Sequence, residues 1–205
     1  MSSSLDTDID LSDSIIGLDG PPYVELQNIE VASWDVRNQL IKQLEDAVVR
    51  GDLQRQSVFS SRERVLGVQK KLEERMLAIL QAEDKKEFAV RWIIGEVCVN
   101  SGISHGNEAD PSKIFETMHG IDTQSNAAIV YIGDQGSGFN PLEVPDPTAS
   151  FDRIEKSSGR GLHTMDELQL RKLGEGAQGI YLPMYEGSAM CREFVLKIPL
   201  DRAEV

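Results

Sequence analysis

Apolar positions follow a helical period in the first half of the chain and an alternating period in the second half. The helical spacing predicts one helix from Ser33 or Asp35 to about Arg50, a second over Ser61–Ala82 and a third from about Lys85 to Ser104. The second helix has apolar residues at positions 65, 68, 72, 76, 79 and 80, and Lys and Glu fill its other face. These patterns predict three amphipathic helices before residue 105.

Runs of alternating apolar residues predict strands at both ends of this helical region. The predicted strands are Tyr23–Ala32, Lys113–Met118, Asn126–Tyr131, Gly179–Tyr185 and Met190–Pro199. Turns are predicted at Asp122–Ser125 and around Glu186–Ser188, a long loop over residues 133–161, and a short helix from Gly161. Helices followed by antiparallel strands indicate an α+β two-layer sandwich, with a mixed, mostly antiparallel sheet covered on one face by helices.

The beginning of the chain differs in composition from the rest. Its first twenty residues are rich in Ser and Asp, and the first basic residue is Arg37. A segment of this kind buries little surface, so we expect a disordered acidic tail over residues 1–20. The remainder is predicted to be a single domain, with a strand and helices over 21–84 and a core over 85–205.

Composition excludes several kinds of partner. The chain of 205 residues carries a formal net charge of −13, which opposes direct binding to nucleic acid or to anionic membranes. Its most apolar segment, Phe88–Val99, is interrupted by charged residues, so no membrane span is predicted. Cys98 and Cys191 have neither metal-ligand spacing nor a disulfide framework. We expect buried thiols and a cytoplasmic protein.

The first chemically informative stretch reads EVCVNSGISHG and begins at Glu96. Glu96 and Asn100 are four residues apart, so a helix places them on one face. A carboxamide can bind Mg²⁺ beside a carboxylate one turn away. The same spacing also suits the exposed polar face of an amphipathic helix, and the motif alone does not decide between the two.

The second and third stretches combine glycine with charge. Asp134 ends an apolar run and is followed by Gly136 and Gly138, so it could accept a hydrogen bond from an exocyclic amine while the glycines let a ligand approach the backbone. An ordinary glycine-rich turn after a strand would show the same sequence pattern. The third stretch, SSGRGL, places glycines before a helix, where backbone N–H groups suit phosphates.

In order and at these separations, the three stretches resemble the motifs of the GHKL ATPase superfamily, whose ATP-binding unit is the Bergerat fold. The runs EVCVNSGISHGN, DQGSGFNPLEVPDP and SGRGL are similar to those of the anti-sigma factor serine/threonine kinase branch. The resemblance covers roughly residues 85–200. It implies ATP and Mg²⁺ as cofactors.

The resemblance also implies roles for individual residues. Asn100 corresponds to the Mg²⁺ ligand, Glu96 to the general base acting on the attacking hydroxyl, and Asp134 to the residue that binds the adenine amino group. Gly136 and Gly138 would shape the adenine wall, while Gly159, Arg160 and Gly161 would lie at the phosphates. Residues 140–158 would form a mobile lid, and Ser188 stands near the adenine-side strand where the family often has Thr.

The activity implied is that of an ATP-dependent serine/threonine protein kinase in a partner-switching module that regulates transcription. Its substrate would be an anti-anti-sigma-type protein, its client a sigma-factor-like protein, and a homodimer is an implied assembly. An alternative is a nucleotide-dependent protein-binding module without phosphoryl transfer. The histidines are His105, His119 and His163, so none precedes the first motif, which argues against a self-contained histidine kinase.

Two features depart from the family pattern. After GRGL the family continues with an apolar helix, whereas this chain has the more polar run His163–Glu167. The segment from Tyr23 to Lys86 is longer than the usual strand and helix, and its extra helix has no role in the family. Both departures concern the identity of the partner and the behaviour of the lid more than they concern ATP binding.

Overall fold

A computed structural model describes residues 26–82, 84–101, 112–144 and 160–200. The expected tail over residues 1–20 and the start of the strand predicted from Tyr23 lie outside the described residues, as does most of the loop that contains the predicted lid. The proposed division of the chain at residues 84 and 85 stays a prediction.

The N-terminal part forms a short strand and a long helix. Strand β1 spans Ile29–Val31 and helix α1 spans Trp34–Arg50. The Ser33 hydroxyl accepts a hydrogen bond from the Val36 N–H at 3.3 Å and so caps the start of α1. Gly51 ends it in the left-handed conformation, with φ of 83°. The predicted limits of this helix are therefore confirmed.

A strand that the hydrophobic pattern did not predict separates α1 from the next two helices. This strand, β2, spans Leu53–Phe59 and pairs antiparallel with β3, which spans Ile114–Asp122. Helix α2 spans Arg62–Leu80 and helix α3 spans Asp84–Val99. The predicted apolar face of α2 is buried as expected, with Val65, Val68, Leu72 and Met76 in the core.

The second half of the chain contributes the centre of the sheet. Strand β4 spans Ala127–Asp134, β5 spans Gln178–Pro183 and β6 spans Cys191–Pro199. The predicted turn between β3 and β4 is closed by the Asp122 carboxylate, which accepts hydrogen bonds from the Gln124 and Ser125 N–H groups. Both predicted hairpins are confirmed.

The six strands form one sheet in the order β1-β5-β6-β4-β3-β2. All neighbouring pairs are antiparallel except β1 and β5, which run parallel with Val31 opposite Tyr181. This pairing joins the N-terminal segment to a strand about 150 residues later in the chain. The mixed, mostly antiparallel sheet of the predicted α+β sandwich is confirmed.

The alternating residues of the central strands divide the core in two. On one face, side chains such as Val130 and Leu196 pack with α2, α3 and the segment 160–173. On the other face, Ile129 and Val195 pack with α1 through residues such as Leu44. The main helical layer thus covers one face, and the extra N-terminal helix lies on the opposite one.

The segment that follows the third motif is helical throughout, but its hydrogen-bond pattern changes along its length. Helix α4 spans Arg160–Thr164, a π-helical turn spans Met165–Gln169 and a 3₁₀ turn spans Leu170–Leu173. The short helix predicted from Gly161 is confirmed, and its continuation to Leu173 was not predicted.

Candidate functional site

Glu96 and Asn100 lie together at the C-terminal end of α3. The Asn100 Nδ2 atom donates a hydrogen bond to Glu96 Oε1 at 2.9 Å. Both residues are half-buried, and the helix changes to a π-helical turn at Asn100 and Ser101. Because the carboxamide gives its N–H to Glu96, its oxygen Oδ1 is the atom suited to a cation.

The start of α4 packs directly against this pair. A Cβ atom added to Gly161 would lie 1.7 Å from Glu96 Oε1 and 2.3 Å from its Cδ atom. Any residue other than glycine at position 161 would therefore clash with the Glu96 side chain in this arrangement. Through this contact the structure brings the first and third sequence motifs together.

A buried tyrosine that none of the three motifs includes is close enough to Glu96 to feel its charge. Tyr181, on β5, has its pKa raised first by burial and then by the negative charges of Glu96 and Cys191. Its ring meets Phe139 edge to face, with ring centres 5.2 Å apart, and Phe194 at 4.9 Å. Since Phe139 belongs to the second motif, the Tyr181 ring connects β5 to that motif.

Asp134 lies at the end of β4 and is buried. Its Oδ1 atom accepts a hydrogen bond from the N–H of Gly136, which folds the following loop back on the carboxylate. This arrangement leaves Asp134 as a buried acceptor at the beginning of the glycine-rich loop.

Gly138 in the same loop has φ of 71°, a left-handed conformation that favours glycine. A Cβ atom there would lie 2.6 Å from the Cys191 carbonyl oxygen and 2.8 Å from Met184 Sδ. Phe139 and Cys191 also exchange backbone hydrogen bonds of 2.9 and 2.7 Å. The loop after Asp134 is thus held tightly to the first residue of β6.

Ser188 lies in the turn between β5 and β6. Its hydroxyl accepts from the Met190 N–H at 3.0 Å and donates to the Met190 carbonyl at 3.3 Å, so it is used within the turn. Cys191, three residues later, is buried beside Gly138, and burial together with Glu193 raises its pKa to about 12. Ser188 thus belongs to the turn, and Cys191 is the residue of β6 that contacts the loop after Asp134.

Some predicted site residues lie outside the described part of the chain. Gly159 is outside it, as are residues 145–158 of the predicted lid. The backbone of Arg160 begins α4 next to Gly161. Within residues 26–82, 84–101, 112–144 and 160–200, no group of three or more His, Cys, Asp or Glu side chains is placed to hold a metal ion. None of the helices in these ranges has the length and apolar character that a membrane span requires.

A family model described as a histidine kinase-like ATPase domain matches residues 60–172. The match covers more than half of the chain and includes all three motifs, from Glu96 to Gly161. A search of curated proteins finds no match. Strand β1, helix α1 and strand β2 precede the matched range, and strands β5 and β6 follow it.

Proposed function

The chain belongs to the histidine kinase-like ATPase domain family, and on that premise we propose that it is an ATP-dependent serine/threonine protein kinase. The proposed substrate is an anti-anti-sigma-type protein, and the proposed client is a sigma-factor-like protein held in a partner-switching module that regulates transcription. The observation that carries the proposal is the Glu96–Asn100 pair with the backbone of Gly161 packed against it.

The residues around Asp134 fit the purine end of ATP, the ligand that the family match implies. A buried carboxylate at a strand end is an acceptor for an exocyclic amine, and burial makes such a bond stronger than in water. Gly136 and Gly138 leave backbone without side chains next to it. We assign adenine recognition to Asp134 and the adjoining wall to the two glycines.

The residues around Gly161 fit the phosphate end. Glycine at the start of a helix leaves backbone N–H groups accessible, which suits anionic oxygens. We assign Gly159, Arg160 and Gly161 to the phosphates and the Asn100 oxygen to Mg²⁺. Ser188 keeps its role in the turn, so its proposed part at the adenine-side strand is indirect, through the backbone that leads to Cys191.

Bound ATP·Mg²⁺ supplies a phosphoryl group whose transfer leaves ADP, and little covalent chemistry is required of the protein. The proposed task of Glu96 is to accept the proton of the attacking Ser or Thr hydroxyl. Its hydrogen bond from Asn100 fixes the orientation of the carboxylate, because Oε1 is held at 2.9 Å from Nδ2. Because Gly161 has no Cβ atom, its backbone can lie against that carboxylate without displacing it.

Nucleotide binding is tested first. Calorimetric titration with ATP and ADP, with and without Mg²⁺, should show binding that Asp134→Asn weakens by at least tenfold. Ligand at a hundredfold excess over its dissociation constant should also stabilise the protein by roughly 2.7 kcal/mol. Absence of binding by the unmodified protein would contradict the proposal.

Phosphoryl transfer is tested with radiolabelled ATP·Mg²⁺ and a panel of anti-anti-sigma-type proteins. Glu96→Gln should still bind ATP but transfer phosphate at least a hundredfold more slowly, in the range of one lost general base. Glu87→Gln is the matched control, because Glu87 lies on the same helix and pairs with Arg91 at the surface. Equal transfer by Glu96→Gln would refute the assigned base. ATP-dependent capture of a partner without transfer would instead establish the binding-module alternative.

A further inference from the structure

Asp166 connects the segment after the third motif to the N-terminal segment. Its Oδ2 atom accepts from the Gln27 N–H at 2.8 Å and its Oδ1 atom from the Asn28 N–H at 2.6 Å. The Asn28 side chain in turn donates to the Asp166 carbonyl oxygen at 2.8 Å. Three hydrogen bonds therefore join groups that are 138 or 139 residues apart in the chain.

The Asp166 side chain is fully buried, with 0% of the residue exposed. A buried carboxylate is costly unless hydrogen bonds compensate its charge, and here each oxygen is held by a backbone N–H. Removal of the N–H donors would leave the Asp166 carboxylate buried without its partners. The contact is thus a strong tie between the two segments.

Asp166 belongs to the same continuous helical segment as Gly161. Leu162 and Met165 between them are buried in the core, so the segment is anchored on one side by packing and on the other by Asp166. Gly161 at its start abuts the Glu96 carboxylate. Asp166 therefore lies five residues from Gly161, in the same helical segment as the residue that faces Glu96.

The N-terminal segment reaches the same site by a second route. Val31 of β1 pairs with Tyr181 of β5, and the Tyr181 ring packs edge to face against Phe139 of the second motif. Residues 26–31 are thus connected to the second motif through Tyr181 of β5, and to the helical segment that begins at Arg160 through Asp166. This segment lies outside the range 60–172 that the family model matches.

We propose that Asp166 is a positioning residue of the nucleotide site, and that the backbone of residues 27 and 28, outside the site itself, holds the phosphate-side helix in place. This inference rests on the proposed function, since the helix start that Asp166 positions is the one assigned to the phosphates. It also accounts for the polar run after GRGL, where the family has an apolar helix: Asp166 is the acid that receives the N-terminal backbone.

The test changes the contact from both sides. Asp166→Ala removes both acceptors, and Asp166→Asn keeps one of them. Gln27→Pro removes the N–H donor from the other segment, and Gln27→Ala is its matched control, because it keeps that N–H and loses only the side-chain contact with Arg171. Val195→Ala, in the core below α1, controls for a general loss of stability.

Two measurements are made on each variant: the dissociation constant for ATP by calorimetry, and amide hydrogen exchange of residues 160–173 in the nucleotide-free protein. Asp166→Ala and Gln27→Pro should each weaken ATP binding by about tenfold, which is typical of coupled sites. Both should speed exchange in that segment. Asp166→Asn should fall between them and the unmodified protein, and the two controls should bind within twofold of it.

Combining Asp166→Ala with Gln27→Pro should add little to either alone, because both remove the same contact. ATP binding within twofold of the unmodified protein in both single variants would overturn the inference. If Asp166→Ala does not fold, Asp166→Asn and Gln27→Pro decide by the same measure. An unmodified protein that binds no ATP would instead refute the proposed function, which separates the two failures.

Discussion

Replacement of Gly161 by alanine places a methyl group against the Glu96 carboxylate. The added Cβ would lie 1.7 Å from Oε1, whereas ordinary contacts begin at 3.4 Å. The two groups must therefore separate by about 1.7 Å, which is far beyond the few tenths of an ångström that a packed site yields easily. Either the carboxylate turns away or the start of α4 moves.

Each route has a cost that can be estimated. Turning the carboxylate away breaks its hydrogen bond with Asn100, and bonds to charged groups contribute roughly 1.5–3 kcal/mol. Moving the start of α4 is a case of overpacking, which lowers the free energy of unfolding by about 1–3 kcal/mol. The higher helix propensity of alanine offsets at most about 1 kcal/mol of this loss. We expect a net loss of roughly 1–2 kcal/mol in the free energy of unfolding, together with at least tenfold weaker ATP binding.

Gly67→Ala is the matched control, because the same substitution is made on the exposed side of α2 with nothing within 4 Å of the added Cβ. It should stabilise the protein by up to about 1 kcal/mol and leave ATP binding unchanged. Urea unfolding followed by circular dichroism measures both stabilities, and calorimetry measures the two affinities.

The double variant Glu96→Ala with Gly161→Ala isolates the contact. With the carboxylate removed, alanine at 161 has room, so the double variant should be at least as stable as Glu96→Ala alone. The contact would be disproved if Gly161→Ala were as stable as Gly67→Ala, or if the two site substitutions destabilised additively.

Three other predictions concern the walls of the site and the sheet. Gly138→Ala should lower the free energy of unfolding by about 1–3 kcal/mol in urea, because its Cβ would lie 2.6 Å from the Cys191 carbonyl oxygen in a left-handed conformation. Arg37→Ala should cost roughly 2 kcal/mol by the same assay, since Arg37 donates to both oxygens of the mostly buried Glu193 carboxylate at 2.8 and 3.0 Å; a loss below about 0.5 kcal/mol would show that the pair is unimportant. Burial, with a smaller effect of a nearby arginine, lowers the pKa of His119 from 6.5, so the unfolded chain takes up a proton there before the folded protein does. The free energy of unfolding should therefore fall as the pH drops below 6.5. Between pH 7.5 and 5.5, His119→Asn should lose less of this free energy than the unmodified protein does, as measured by urea denaturation. An equal loss in both proteins would contradict a buried neutral imidazole at His119.

The helices could be predicted well because their signals are local. Ser33 and Gly51 delimit α1 by capping, and the apolar residues of α2 recur at a spacing that only a helix brings to one side. Strand β2 escaped prediction because it is an edge strand whose alternation is irregular. Only Leu53 among its residues is buried, so little in its pattern distinguishes it from a loop.

The parts of the site that could be predicted are those whose residues are close together in the sequence. Glu96 and Asn100 could be paired from their spacing of four residues, and their hydrogen bond confirms that they meet. The sequence offered no comparable signal for Tyr181, because its contact with Phe139 depends on how β5 enters the sheet. Asp166 was noticed only as a departure from the family pattern, and its partners at residues 27 and 28 could not be inferred without the fold.

The parallel pairing of β1 with β5 also has a consequence for the order of folding. Residues 29–31 are synthesised before their strand partners at 179–181, which come about 150 residues later. Contacts of such long range form only after the intervening chain has collapsed, which slows folding. At synthesis rates of about 5–20 residues per second, the N-terminal strand must wait roughly ten seconds or more for its neighbour. During that interval the partner of β1 is absent, so β1 can take its place at the edge of the sheet only after β5 has been synthesised.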